Sequence, residues 1–144
     1  MTNHSKASKL SHEKTAHLFP AFVPEYLGIE TAVIESTGTD FHSYLENASC
    51  ITGNNLSAFD ILKYNFLDNR LKSQYITYII SCCISDILHA HRQISSFVAS
   101  YSMGIYAALY HCRSIDFGTG LKLIKYAFEI IEDNLPDGAF SMCA

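Results

Sequence analysis

The stretch from Phe97 to Leu109 constrains the fold of this 144-residue chain more than any other. A short apolar run meets Ser102, a glycine follows two residues later, and an alanine-rich segment that favours helix comes next. This order predicts a strand that turns sharply into a helix, with the serine exposed at the bend. The residues two before and two after it, Ser100 and Gly104, are small, as a close passage of strand and helix requires. Ser102 is therefore a candidate nucleophile, in a backbone conformation that such turns usually strain.

The pattern around Ser102 also has a simpler interpretation. The usual motif is Gly-x-Ser-x-Gly, and here its first glycine is replaced by Ser100, which carries a Cβ. A serine between a strand and a helix is commonly an N-cap, whose hydroxyl accepts a hydrogen bond from a backbone N–H of the first turn. Because short patterns of this kind recur by chance, Ser102 is either a nucleophile or a plain helix cap when the motif is taken alone.

The composition of the chain excludes several classes of protein. A hydrophobic fraction of 49% with 17% charged residues excludes a disordered chain, and the length suits one domain with a core. The net charge is -4 and the lysines and arginines are scattered, so no nucleic-acid partner is expected. The five cysteines are odd in number and lack metal-type spacing. We interpret them as small apolar core residues in a reducing compartment and expect no metal site.

The amino-terminal residues are polar and carry no signal for secretion. Residues 1–14 contain three lysines and lack the apolar block of a signal peptide. We predict a flexible tail there and one domain over residues 15–144. No segment reaches the roughly 18 apolar residues that a membrane span requires, so we expect no membrane association and a cytoplasmic location.

The spacing of apolar residues predicts an α/β fold rich in helices. A strand over residues 15–19, closed by Pro20, precedes several helices, and the run at Phe97 supplies a second strand. Two or three short strands are few for a sheet with helices on both faces, so we expect part of the domain to be missing after residue 144. Helices are predicted over residues 29–36, 41–48, 56–64, 73–89, from the elbow to about 112, and from after Asp116 to Leu135. Ser57 is the expected cap of the third helix and Asp116 that of the last. A further strand is predicted to start over residues 139–143.

The helix over residues 73–89 is apolar nearly all round, which predicts that it lies inside the domain. The adjacent Cys82 and Cys83 are interpreted as core residues rather than as a redox pair. His89 and His91 stand two residues apart near the helix end and would point to nearly opposite sides. We therefore predict a solvated helix terminus there and no metal ligation.

Three segments, in order and almost without gaps, give the chain a resemblance to a known family. The segment LFPAFVPEYLG over 18–28 is similar to the opening Phe-Pro-Gly-Gln-Gly-Ser-Gln, and Ser73-Gln74-Tyr75 looks like the start of the family's Thr-Gln-Pro helix. Residues 97–106 are similar to its Gly-His-Ser-Leu-Gly-Glu-Tyr elbow. Over residues 15–142 the chain resembles the amino-terminal portion of the malonyl-CoA:acyl carrier protein transacylases and of the acyltransferase domains of polyketide synthases.

The resemblance implies a partial α/β-hydrolase-like acyltransferase core, with a few parallel strands and a nucleophile elbow. In that family a serine takes an acyl group from acyl-CoA as an ester and passes it to the phosphopantetheine thiol of an acyl carrier protein. It implies acyl-CoA as substrate, an acyl carrier protein as partner and no bound cofactor. The implied site residues are Ser102 as nucleophile, the backbone N–H groups of Met103 and Phe22 as oxyanion donors, and Gln74, Tyr101 and Ala127 lining the substrate site.

Several positions depart from the family pattern. Phe22 stands where the family has glutamine, Tyr101 replaces the histidine of the motif, and Ile105 replaces its glutamate. The arginine that clamps a malonyl carboxylate aligns with Ala127. Lys125 does not replace it, because two residues turn a helix by about 200° and aim the side chain away. A neutral acyl group is therefore favoured over malonyl.

The general base is the largest gap in the pattern, because the family's histidine lies farther downstream. His111 follows Ser102 by nine residues along a helix, roughly 13 Å and out of hydrogen-bond reach. Nothing in the sequence positions His17 or His42 beside the serine. Three functions stay open. The first is an acyltransferase, as the amino-terminal portion of a longer or two-part enzyme completed by a complementary carboxy-terminal half or a partner subunit. The second is a catalytically inactive relative that serves as a binding module or subunit, and the third is a general serine hydrolase.

Overall fold

The computed structural model describes residues 14–21, 29–59 and 69–134. In these ranges two short strands are separated in the chain by three helices and followed by two more, which confirms the predicted α/β class with its small parallel sheet. Within these ranges no helix is both long enough and apolar enough to cross a membrane. The elements are β1 (Ala16–Phe19), α1 (Ile29–Thr37), α2 (Phe41–Thr52), α3 (Arg70–Ala90), β2 (Phe97–Ser100), a 3-10 turn (Ser102–Gly104), α4 (Ile105–His111) and α5 (Phe117–Asn134).

The two strands form a parallel pair across a long connection. Ala16 lies opposite Phe97, and the pairing runs on to Phe19 opposite Ser100. Parallel strands need a crossover connection, and here α1, α2 and α3 all lie between them in the chain. The strands therefore end side by side at the same edge of the sheet, where the elbow begins.

Helix α3 is the central element, as its apolar sequence predicted. It contacts α1, α2, α4 and α5. It begins three residues before the predicted start, because the Asn69 side chain caps it by accepting a hydrogen bond from the Lys72 N–H at 2.9 Å. Its buried residues come from every side of the helix and are Ser73, Tyr75, Ile76, Thr77, Tyr78, Ile79, Ile80, Cys82, Cys83, Ser85 and Ile87.

The cysteines divide into two groups. Cys82 and Cys83 are buried in the core, and burial raises the pKa of the Cys83 thiol to about 12. A thiol that stays protonated is a poor nucleophile, so the packing interpretation holds for this pair. Cys50 and Cys112 are exposed, and the prediction that they fill the core is wrong. Cys143 lies outside the described residues.

Two helix predictions differ from the structure. The described residues 56–59 form a turn instead of the start of a helix, and residues 60–64 lie outside the described ranges. Ser57 does not cap a helix there, because its hydroxyl is 3.2 Å from that of Ser49. Helix α5 begins after its cap Asp116, as predicted, but Ile131 on its apolar stripe is 45% exposed rather than in the core.

A carboxylate joins three elements beside the core. Asp86 on α3 accepts a hydrogen bond from the Tyr44 hydroxyl of α2 at 2.8 Å and from the Tyr110 hydroxyl of α4 at 2.6 Å. Arg113, just after α4, lies 3.2 Å from its second oxygen. Burial, and then the hydrogen bond to Asp86, raise the pKa of both tyrosines. The cluster fixes α4, and with it the elbow, against α3.

The predictions for the chain ends lie outside the described residues. The predicted flexible tail falls almost entirely within residues 1–13, and the predicted strand over 139–143 follows the last described residue. The single domain over residues 15–144 stays a prediction.

Candidate active site

The bend between β2 and α4 has the backbone of a nucleophile elbow. Tyr101 continues the extended strand, with φ -119° and ψ 128°, and Ser102 then adopts φ +49°. A residue with a Cβ rarely occupies this left-handed region, and such strain is typical of functional sites. The Ser102 side chain is exposed. The cap positions fall on Tyr101 and Gly104, which make no side-chain cap hydrogen bond, so Ser102 is not the plain helix cap of the simpler interpretation.

The end of β1 supports the elbow from one side. The Tyr101 N–H donates a hydrogen bond to the Phe19 carbonyl at 3.0 Å. A Cβ on Gly104 would overlap the same carbonyl oxygen and would lie 2.5 Å from that of Pro20. Only glycine fits at this point, because both obstacles are backbone atoms. Ser100, by contrast, is exposed at the end of β2, where its side chain is accommodated in place of the usual glycine.

The first turn after Ser102 presents backbone donors. Gly104 donates its N–H to the Tyr101 carbonyl at 3.0 Å, which closes the 3-10 turn. Met103 lies within this turn, among the leading N–H groups that have no partner inside their own helix. Its N–H is thus in the place where the resemblance puts one oxyanion donor. The other suggested donor, Phe22, lies outside the described residues.

A narrow cleft lies beside the elbow. It is about 10 Å³ in volume, close to the smallest space that holds one water molecule. Gln74 and Met103 lie on its wall, as expected for site residues. Tyr101 is 61% exposed and does not line it, and neither does Ala127, which lies three residues beyond Ile124 on α5. The lining residues are Pro20, Ala21, Gln74, Thr77, Tyr78, Ser81, Met103, Gly104, Ala107 and Ile124.

Known proteins are similar to this chain in sequence and in fold. The malonyl CoA-acyl carrier protein transacylase of Synechocystis sp. is 36% identical over 59 residues, which are 41% of this chain and 20% of that protein. The crystal structure of a Synechocystis sp. malonyl-CoA:ACP transacylase superposes with a TM-score of 0.65 and 26% identity, over 84% of this chain and 41% of that one. The chain resembles the malonyl-CoA:acyl carrier protein transacylases. The resemblance predicted from the three segments is thereby confirmed.

A second transacylase-type structure shows the same fold. The acyl-carrier-protein S-malonyltransferase of Burkholderia pseudomallei superposes with a TM-score of 0.66 and 20% identity, over 86% of this chain and 40% of that one. No protein-family model matches the chain. The chain thus spans about two fifths of the solved relatives and one fifth of the curated one.

The histidines of the described chain lie away from Ser102. His111 is at the opposite end of α4, buried to 4% exposure, with its Nε2 3.0 Å from His17 Nδ1 and its Nδ1 2.8 Å from the Ser85 hydroxyl. Burial, and then the neighbouring His89 and His17, lower the pKa of His111. A neutral histidine in this network stabilises packing, and it does not activate the elbow serine.

The remaining histidine predictions have different outcomes. The predicted solvated helix terminus is confirmed for His91, which is exposed, but His89 is half-buried and its Nε2–H donates to the His111 carbonyl at 3.0 Å. His42 lies on the surface of α2, where its Nε2 is 3.3 Å from Glu46. Among the described residues, no group of three or more histidine, cysteine or acidic side chains is arranged to hold a metal.

The sequence analysis named Gln74 but missed the polar stripe along α3 to which it belongs. Gln74, Thr77 and Ser81 line the cleft, and Ser85 continues the row to the histidines. These positions recur at three- and four-residue steps, which places them on one face of the helix. That spacing is the signal that could have found them, and it was hidden because the apolar residues of the same helix form a stronger pattern.

Proposed function

We propose that this chain carries the nucleophile of an acyltransferase that moves an acyl group from CoA to an acyl carrier protein. The observation that carries the proposal is Ser102, exposed at φ +49° in the bend between β2 and α4. It stands in a chain whose fold matches two solved transacylases. The names of those relatives support acyl-CoA as the donor and an acyl carrier protein as the acceptor.

The transfer takes place in two balanced steps. Ser102 Oγ attacks the thioester carbonyl, a base takes the hydroxyl proton, and the C–S bond breaks to release CoA as the thiol once it is protonated. The thiol of the carrier protein then attacks the ester, and the serine oxygen takes a proton as it leaves. In both steps the Met103 N–H, with that of Phe22 as a second donor, stabilises the negative charge on the carbonyl oxygen.

The base comes from outside the described residues. The side-chain hydrogen bonds and ion pairs of the described histidines are made with residues other than Ser102. The relatives are more than twice as long as this chain, which leaves room for a histidine in the remaining portion of the fold. We place the base there, in a complementary carboxy-terminal portion or a partner subunit.

The acyl group that suits this site is neutral. A malonyl carboxylate needs a bidentate guanidinium. Ala127 stands where the family has arginine, and the nearest cation along α5, Lys125, lies 3.7 Å from Glu129 on the helix surface. A neutral acyl group such as acetyl is therefore expected in place of malonyl.

The second candidate is a catalytically inactive relative that binds an acyl carrier protein or a partner subunit. It is favoured by the size of the cleft, which at about 10 Å³ is too small for an acyl group. It is also favoured by Ile105, the residue that replaces the glutamate of the motif and is exposed on α4.

Intact-mass spectrometry separates these candidates. The protein is incubated with acetyl-CoA or malonyl-CoA, alone, with a carrier protein, and with the remaining portion of a solved relative as the source of the base, and each mixture is compared with Ser102→Ala. We expect one added acetyl group that Ser102→Ala lacks and that Ser100→Ala, a second exposed serine two residues away, retains. No adduct with any CoA ester points to the inactive relative, and turnover of a nitrophenyl ester without acylation by CoA esters points to a hydrolase.

A further inference from the structure

Two histidine rings join β1 to the end of α4. His17 Nδ1 lies 3.0 Å from His111 Nε2, and the Ser85 hydroxyl of α3 lies 2.8 Å from His111 Nδ1. His17 is half-buried, and His111 is 4% exposed. Both ring nitrogens of His111 are therefore occupied, and the row of hydrogen bonds connects three elements. We call the contact between His17 and His111 the histidine joint.

The histidine joint accommodates one added proton but not two. A neutral imidazole has one N–H and one lone pair, so the facing nitrogens of two neutral rings pair as donor and acceptor. One added proton leaves this hydrogen bond in place, because the charged ring donates to the lone pair of the other. A second proton turns both facing nitrogens into donors. The hydrogen bond is then lost, and two positive charges face each other with ring centroids 4.9 Å apart.

The groups around the histidine joint favour a neutral His111. The ring centroid of His89, on α3, lies 4.6 Å from that of His111. Burial, and then His89 and other groups that can carry positive charge, lower the pKa of His111. Asp86 acts in the opposite direction, but two tyrosine hydroxyls and Arg113 already bind its oxygens. A second proton in the joint therefore meets surroundings that oppose positive charge.

The other elements packed on α4 bring no carboxylate to the histidine joint in their described contacts. Strand β2 and the 3-10 turn have no titratable side chain. In α5, Glu129 lies 3.7 Å from Lys125, and the cap Asp116 accepts hydrogen bonds from Thr119. A second positive charge in the joint thus has no counter-charge on these elements.

The same strand supports the elbow at the other end of α4. Two residues after His17, the Phe19 carbonyl accepts a hydrogen bond from the Tyr101 N–H at 3.0 Å. The carbonyl oxygens of Phe19 and of the residue after it also approach Gly104 so closely that a Cβ does not fit there. Strand β1 is therefore attached to α4 at two places, to its start through the backbone and to its end through the histidine joint.

We propose that the histidine joint is a pH switch for the elbow. When both rings carry an added proton, the end of β1 separates from α4, and the backbone of Ser102 relaxes while the core stays folded. A strained conformation persists only as long as the surrounding structure enforces it, and here β1 is part of that structure. At neutral pH the joint forms again and the bend is restored. The switch is a property of the fold and does not depend on whether Ser102 is a nucleophile.

The test is a pH titration of the chain followed by NMR. The ring nitrogens of His17 and His111 report their own protons, and the exchange rate of the Tyr101 amide, corrected for its intrinsic dependence on pH, reports its hydrogen bond to β1. We expect the two rings to titrate as a coupled pair. Protection of the Tyr101 amide should stay constant through the first proton and fall at least about tenfold with the second, while the Ile79 amide in α3 keeps its protection.

His17→Asn provides the matched comparison. The asparagine amide stands near the position of Nδ1 and can hydrogen-bond to His111 in either of its protonation states, but it takes up no proton. We expect protection of the Tyr101 amide in this variant to stay within about threefold between about pH 7 and pH 5. His42→Asn is the control, because it removes a histidine that lies on α2 beside Glu46, outside the joint, and it should retain the full loss of protection.

Three outcomes overturn the proposal. They are a Tyr101 amide whose protection does not change with the second proton, a loss of protection that His17→Asn leaves unchanged, and a loss that occurs together with that of Ile79, since acid then unfolds the whole chain. If His17→Asn fails to fold, the titration of the unmodified chain decides, because independent titration of the two rings also contradicts the switch. Acylation is not measured here, so a failure of the proposed function leaves these results unaffected.

Discussion

The two ends of α4 carry polar side chains in opposite circumstances. At its start Ser102 is exposed and held at φ +49°, while at its end His111 is 4% exposed and hydrogen-bonded through both ring nitrogens. Ser102 has a strained backbone and its side chain has no hydrogen-bond partner among the described residues, whereas both ring nitrogens of His111 have partners. The comparison teaches that an exposed side chain on a strained backbone is a candidate for reaction, while a buried side chain with partners has a structural role.

The largest expected effect concerns Ser102, at the exposed start of α4. Ser102→Ala keeps the strained backbone and removes the nucleophile, so acylation by acetyl-CoA should fall by about a thousandfold or more. Single-turnover mass spectrometry measures this loss. His111→Gln should acylate at a rate close to that of the unmodified chain, and an equal loss in both variants would erase the distinction between the two ends.

The next largest effect concerns the contact of Gly104 with the end of β1, which holds the start of α4 in place. Gly104→Ala directs a Cβ into the carbonyl oxygens of Phe19 and Pro20, which belong to the backbone and cannot rotate away. We expect the free energy of unfolding to fall by about 3 kcal/mol in a urea titration. Gly118→Ala is the control, because its Cβ would meet only ordinary contacts at 3.5 Å in α5. It should raise stability by up to about 1 kcal/mol.

The burial of His111 at the end of α4 should make the stability of the protein sensitive to acid. The folded state lowers the pKa of His111 below its usual 6.5, so between those two values the unfolded chain binds more protons than the folded one. Stability is then fully present above pH 6.5 and falls as the pH drops below it, by at most about 1.4 kcal/mol per pH unit for one proton. Urea titrations between pH 5 and pH 8 (roughly the range in which histidine titrates) measure this slope. His111→Gln should flatten it, and a slope that persists in that variant would assign the protons to other groups.

The smallest expected effect is a gain in stability. Ser102→Gly relieves the left-handed backbone conformation of the elbow, which we expect to raise the free energy of unfolding by about 1 kcal/mol while abolishing acylation. Ser100→Gly, in the extended strand, should lower it by a similar amount, since glycine there only adds freedom to the unfolded chain. Thermal unfolding of the pair compares them directly, and a loss of stability in Ser102→Gly would show that the bend is unstrained.

The exposed end of α4 could be predicted from sequence, and the buried end could not. The strand, bend and helix around Ser102 are encoded in thirteen consecutive residues, Phe97 to Leu109, so local patterns suffice. The histidine network joins His17 of β1 to His111, which are 94 positions apart, and only the packed fold brings them together. The contact of His89 with the His111 carbonyl could not be predicted for the same reason.

Two other predictions failed because a periodic pattern does not reveal what covers a surface. The apolar stripe of α5 is real, but its later part, including Ile131, has nothing packed over it in the described structure. Ser57 has the spacing of a helix cap. However, the Ser49 hydroxyl, seven residues before Leu56, accepts a hydrogen bond from the Leu56 N–H and fixes a turn there. In both cases the spacing of the motif does not show which residues, if any, pack against it.

The close approach of Gly104 to the Phe19 carbonyl has a consequence for how the protein folds. The pairing of Ala16 with Phe97 closes about 80 residues of chain, and contacts of such long range form slowly and late. Until that pairing is made, nothing obliges residue 102 to leave the ordinary right-handed or extended conformations. A nascent or partly folded chain therefore carries an unstrained serine at position 102, and under the proposed function this serine becomes a nucleophile only after β1 and β2 have paired.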